Sequence, residues 1–132
     1  MKIILDTNVL ISSLVFKGAA FRVHDFCLQY EEIYISDFIL DELSEKLSEK
    51  FQIKGKELAA IRRHIDSTTK LVFPSGKIPE ICRDKDDNNI LHLAKAINAD
   101  FIITGDKDLL EIKVFKQTRI VSPKEFIEQF IK

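Results

Sequence analysis

The sequence predicts an α/β fold, a three-layer sandwich with a central parallel sheet of four to five short strands. Three observations carry this. Short, almost wholly apolar runs recur along the chain. Such unbroken runs suit strands covered on both faces, whereas half-exposed strands alternate apolar with polar. Between the runs lie segments with apolar residues at helical spacing. Strands that alternate with helices favour parallel pairing, because parallel neighbours need crossover connections.

The first strand is expected over 3–5 (Ile3, Ile4, Leu5). Val23, Cys27 and Tyr30, with Phe26 alongside, predict a helix over 20–30, and a second strand follows over 33–35. Leu40, Leu43, Leu47 and Phe51 mark a helix over 37–51, and Leu58, Ile61 and Ile65 mark another over 55–69. A third strand is expected over 71–73. Residues 74–86 read as irregular, since Pro74, Ser75, Gly76 and Pro79 interrupt any regular element. Ile90, Leu93, Ala94 and Ile97 repeat at i, i+3, i+4 and i+7, the stripe of a helix over 87–98 with one buried face. Strands follow over 101–103 and 120–121. The last helix has the clearest start: Ser122-Pro123-Lys124-Glu125 offers an N-cap serine, proline at N1 and glutamate at N3.

The chain has 132 residues, the size of one domain, and no repeat, low-complexity tract or linker divides it, so residues 1–132 read as a single domain. Apolar residues make up 45%, enough for a core without disulfides or a structural metal. Lys plus Arg is 20 and Asp plus Glu is 21, a formal net charge of −1. That balance excludes a protein that coats nucleic acid by bulk charge; any such contact needs a local basic patch, a metal ion, or both. Cys27 and Cys82 are far apart, form no C-x-x-C and read as reduced, small apolar residues. The apolar start carries Asp6 and Asn8 inside it, which a secretory or membrane segment tolerates poorly, and no later stretch is long enough to span. A cytoplasmic protein is expected, with no membrane contact.

The chemistry lies in the acids. Asp6 directly follows the first strand, and Asp106 follows the strand over 101–103 by way of Thr104-Gly105. Asp87 closes the run Asp84-Lys85-Asp86-Asp87 where the next helix begins. Ligands of open α/β sheets bind beyond the carboxyl ends of the strands, so in a parallel sheet these acids converge on one rim. Taken singly, Asp86, Asp87 and Asp106 could be helix caps or first-turn acids. Asp6 is harder to explain that way, since a lone charge in an apolar strand costs several kcal/mol without a partner. Clustered carboxylates repel unless protons or a divalent cation hold them, and an oxygen-only donor set points to Mg²⁺ or Mn²⁺. His24, His64 and His92 have no zinc spacing and read as structural or surface residues.

The stretch Ile4-Leu5-Asp6-Thr7-Asn8-Val9-Leu10-Ile11-Ser12 resembles the opening of PIN-domain nucleases. Thr104-Gly105-Asp106-Lys107-Asp108-Leu109-Leu110 resembles their later Thr/Ser-x-Asp motif, and Arg83-Asp84-Lys85-Asp86-Asp87-Asn88 their acidic segment, with Lys85 where proline is commoner. Ile35-Ser36-Asp37-Phe38-Ile39-Leu40-Asp41-Glu42-Leu43 matches the region of their helical glutamate. The motifs stand in family order across nearly the whole chain. With Ser13-Leu14-Val15-Phe16-Lys17-Gly18, they are most similar to the VapC-like toxin components of toxin–antitoxin pairs.

The resemblance implies an endoribonuclease in which Asp6, Glu42, Asp87 and Asp106 surround one or two Mg²⁺ or Mn²⁺ ions. Asn8 and Thr104 would orient carboxylates or the attacking water, and Asp108 would add a ligand through water. It also implies a homodimer silenced by a cognate antitoxin. Lys17, Arg22, Arg83, Lys85 and Lys107 are the basic residues placed to follow an RNA backbone. Lys54, Lys56, Arg62, Arg63 and Lys70 form a second group, a solvated face or a partner surface, with RNA binding as the alternative. Two assignments stay open on pattern alone. Glu42 falls opposite the Leu40, Leu43, Leu47 stripe, beside Glu45 and Glu49, where a solvated face is expected and Asp41 is an alternative. Asp86 competes with Asp87. The rival function is a PIN-fold module that binds RNA or protein with little catalysis. A DNA-directed structure-specific nuclease would need helical clamps for which the chain has no room. A receiver-like phosphotransfer domain would need an aspartate after its third strand and a lysine after its fifth, and neither is present.

Overall fold

The computed structural model describes residues 1–131. The elements run β1 (Lys2–Leu5), α1 (Thr7–Val15), α2 (Ala19–Tyr30), β2 (Glu32–Ser36), α3 (Asp37–Phe51), α4 (Gly55–Thr68) and β3 (Lys70–Val72). Then come α5 (Lys85–Ile97), β4 (Phe101–Ile103), α6 (Lys107–Ile112), β5 (Val114–Phe115), β6 (Thr118–Val121) and α7 (Pro123–Phe130). The strands form one sheet in the order β3-β2-β1-β4-β6-β5, parallel except for the β5–β6 pair.

Successive strand residues point to opposite faces. Ile3, Ile4 and Leu5 are each at most 1% exposed, so both faces of β1 are covered. The topology explains how. The chain steps from β1 to β2 to β3 in one direction, then returns to β4 and β6 on the other side of β1. Because crossovers are right-handed, this reversal places α1 to α4 on one face and α5 on the other. The expected α/β sandwich is therefore present, and β1 and β4 flank its switch point.

The five expected strands form the parallel part of the sheet, and three elements escaped the sequence pattern: α1, the short α6, and β5, which adds a sixth strand. Helix α1 buries Thr7, Val9, Leu10, Ile11 and Ser13, leaving no polar stripe by which a helix is recognised. It packs against both α2 and α3. Strand β5 has only two residues and turns back through Lys116 at φ 54°, where glycine or asparagine would ordinarily signal the hairpin. It adds the antiparallel edge. The Ser122 capping box of α7 is complete, with Glu125 N–H donating to Ser122 Oγ and Ser122 N–H to Glu125 Oε1, each at 3.1 Å. It seats Phe126, fully buried, edge-to-face on Phe101 at 5.7 Å.

Candidate active site

Three helices start at the carboxyl rim of the sheet with an aspartate as N-cap. Asp6 caps α1, accepting from Val9 N–H at 2.8 Å; Asp106 caps α6, accepting from Leu109 N–H at 3.0 Å; Asp84 caps α5, accepting from Asp86 N–H at 2.9 Å. Capping and site formation are thus not rivals here. An acid at a helix start can have one oxygen tied to the backbone and still line the cavity.

Asp6 and Asp106 are joined through Thr104. Its hydroxyl donates to the second oxygen of Asp6 and accepts from Asp106 N–H at 3.0 Å. Asp6 N–H continues the β1–β4 ladder to Ile103 O at 3.1 Å. The rim of the switch point is therefore locked by backbone and by one buried threonine, and Thr104 stands where an orienting residue was expected.

Glu42 belongs to the cavity, contrary to its position on the helical wheel. Because α1 lies against α3, the second edge of α3 is covered as well, and Thr7 Oγ1 donates to Glu42 Oε1. Its side chain is 15% exposed. Asp41 is exposed and lines a different depression, so it is not the alternative. Asp86 and Asp87 both face the cavity. Their loop is held by Asn88, whose Oδ1 accepts from Ile81 N–H at 3.1 Å and Cys82 N–H at 2.8 Å, while its amide donates to Cys82 O at 3.1 Å.

The result is a cavity of about 80 Å³ lined by Asp6, Thr7, Asn8, Glu42, Lys46, Asp84, Asp86, Asp87, Ile90 and Asp106. That is room for two or three waters or ions, not for a base. Six carboxylates face it with one ammonium group, Lys46. Crowding shows in their protonation. Burial pushes the Asp6 carboxyl up, partly offset by Thr104 and Val9 N–H. Burial, then a hydrogen bond and charge from Asp106, pushes Asp87 up to about 7. A hydrogen bond with Glu42 raises Asp86, with burial second. The crowded acids thus press on one another, Asp106 on Asp87 and Glu42 on Asp86. Among the described residues, no three acidic, histidine or cysteine side chains already form a closed cage for a metal. The donor chemistry nevertheless fits a hard divalent ion: all oxygen, strongly anionic, and three acids anchored to helix starts.

Most of the other expected residues lie outside the cavity. Asp108 is held by Arg83, one of whose terminal guanidinium nitrogens donates to both carboxylate oxygens at 3.0 and 3.1 Å. Lys17, Arg22, Lys85 and Lys107 are exposed and do not line the cavity. Asn8 is at its mouth, accepting from Lys46 Nζ at 3.4 Å. His24 is buried against Ser13 at 2.8 Å, His92 meets Ser75 O at 3.0 Å, and both cysteines are free, in keeping with structural roles. Thr7, Lys46 and Asp84 were missed. The only sequence signals were the adjacency of Thr7 to Asp6, the i, i+4 spacing of Lys46 from Glu42, and the capping position of Asp84.

Comparison with known proteins is consistent throughout. The family model described as a PIN domain matches residues 2–108. The uncharacterized protein MJ1680 of Methanocaldococcus jannaschii is 34% identical over 146 aligned positions, covering 100% of this chain and 93% of the relative. Among solved structures, VapBC2 from Rickettsia felis, bound to a DNA fragment from their promoter, superposes with a TM-score of 0.66 at 18% identity, over 92% of this chain and 98% of that one. PAE2754 from Pyrobaculum aerophilum superposes with a TM-score of 0.61 at 15% identity, over 98% of this chain and 88% of that one.

Proposed function

We propose that this chain, which belongs to the PIN-domain family, is a Mg²⁺- or Mn²⁺-dependent endoribonuclease with Asp6, Glu42, Asp87 and Asp106 as its catalytic acids. One observation supports this above the rest: six carboxylates from four separate segments meet in a single cavity at the switch point of the sheet. Folding gathers like charges there at a cost, which a bound divalent ion removes. The ion, when bound, supplies positive charge for the phosphodiester and an acidified water for in-line attack. The chain's own residues do the rest. Val9 N–H and Thr104 hold Asp6 in one orientation, and Thr7 does so for Glu42. The raised carboxyl of Asp87 must lose its proton before it can act as a ligand.

The family setting adds a toxin role, with a cognate antitoxin as protein partner and a second copy as dimer partner. The likeness to VapBC2 supports the first. The apolar run Phe38-Ile39-Leu40 lends the second no support, since Ile39 and Leu40 are buried within the chain. Sedimentation equilibrium decides the second, and a monomer at high micromolar concentration removes it. Among the described residues, no helix is long and apolar enough to cross a membrane.

Cleavage of single-stranded RNA with Mn²⁺ tests the proposal. Asp6→Asn, Asp87→Asn, Asp106→Asn and Glu42→Gln should each lose more than about 100-fold in rate, beyond what a supporting residue contributes. Wild-type cleavage by Asp6→Asn would show the mechanism to be wrong.

A further inference from the structure

Lys46 is the one Lys or Arg among the described residues that lines the acidic cavity. It sits one helical turn beyond Glu42 on α3, so the two side chains share a face. Its ammonium group is 3.9 Å from Glu42 Oε2 and 3.4 Å from Asn8 Oδ1, at the cavity mouth. Both contacts are long for direct hydrogen bonds. The group is thus placed by charge and is free to move, on a flexible four-carbon stem. The Lys46 side chain is 27% exposed and Glu42 15%, so the pair lies on the boundary between cavity and solvent. A divalent ion entering the cavity competes with the ammonium group for Glu42, and wins by its charge and closer approach. The displaced ammonium group stays at the solvent boundary of the cavity, where a phosphate group that approaches the ion must pass. The other candidate cations, Lys17, Arg22, Arg83, Lys85 and Lys107, line no part of it.

We propose that Lys46 is an exchangeable counter-ion. It holds Glu42 and Asn8 while the cavity lacks a divalent ion, and passes to an RNA phosphate when the ion takes Glu42. This rests on the metal-dependent nuclease assigned above.

The test uses purified full-length protein in three forms: wild type, Lys46→Gln and Lys46→Arg. Two measurements apply: melting curves across a Mn²⁺ titration, and binding of a cleavage-resistant phosphorothioate RNA with Mn²⁺ over a range of salt. Without metal, Lys46→Gln should melt below wild type. Its Mn²⁺ midpoint should fall about fivefold, the scale of one ion pair removed. With Mn²⁺, the slope of log affinity against log salt should shrink by about 0.7, the loss of one contact to a single strand. Lys46→Arg, which keeps the charge, should follow wild type in both. An unchanged or raised Mn²⁺ midpoint, or an unchanged salt slope, in Lys46→Gln overturns the proposal. Wild type that does not respond to Mn²⁺ at all, and so matches Asp6→Asn, overturns the metal-dependent reading and the proposal with it.

Discussion

Asp6 is one residue with two duties, and they can be separated. Asparagine caps a helix about as well as aspartate, so Asp6→Asn keeps α1 while removing a charge that burial already disfavours. Without metal the variant should melt at or above wild type. At Mn²⁺ a hundredfold over its dissociation constant, wild type should gain about 2.7 kcal/mol by mass action, and the variant far less. Paired melting curves check this; a variant that gains as much as wild type would leave Asp6 only a cap. His24 gives a pH signature away from the site. Burial, and then His64, lowers it to about 4, with Asp25 opposing. A histidine that is harder to protonate when folded binds its proton in the unfolded chain first. Stability from this group is therefore full above about pH 6.5 and is lost as the pH falls towards 4. Wild type should lose up to about 3 kcal/mol relative to His24→Gln across that window, followed by denaturant melts at each pH. The raised carboxyls of Asp6, Asp86 and Asp87 act in the opposite direction in both proteins and cancel in the difference. At this scale the sequence revealed Asp6 and Asp106, because a strand followed at once by an acid is legible in one dimension. Thr7 and Lys46 were not, because their significance depends on α1 lying against α3.

At the scale of elements, legibility followed exposure. Helix α5 shows a stripe because one side meets solvent, while α1 is buried nearly all round and reads as a run without period. The same packing misled the placement of Glu42. A helical wheel assigns one buried face, but α3 is covered by β2 on one side and α1 on another. The start of α5 also depends on a contact the sequence does not announce: Asn88 binds the preceding loop at three backbone atoms. Asn88→Ala should leave Ile81 and Cys82 N–H unpaired and cost about 2–3 kcal/mol. It should also weaken Mn²⁺ binding, because Asp84, Asp86 and Asp87 lose their fixed approach to the cavity. Asn88→Asp keeps the acceptor and should retain more of the stability. Melting with and without Mn²⁺ distinguishes this from a purely local effect, in which stability falls and the metal response stays whole.

At the scale of the molecule, the strand order does what no motif could. By stepping from β1 outwards to β3 and returning to β4, the chain brings residues as far apart as Asp6 and Asp106 to one rim, where a single threonine joins them. The fold class was readable because apolar runs and helical stripes alternate; the order of the strands was not, since it is settled by which runs pair. The net charge of −1 then has a consequence. A protein without surplus positive charge, whose cavity gathers six carboxylates against one lysine, repels a phosphate backbone until a cation enters. Binding of cleavage-resistant RNA should therefore depend on metal as strongly as cleavage does. Affinity should drop at least tenfold when EDTA replaces Mn²⁺ at constant ionic strength, and Asp106→Asn should bind poorly in both conditions. A PIN-fold module that holds RNA by its basic surface, without catalysis, requires the opposite. Its affinity would survive EDTA, Asp106→Asn would bind as wild type or better, and Arg62→Ala with Arg63→Ala would be the change that weakens it.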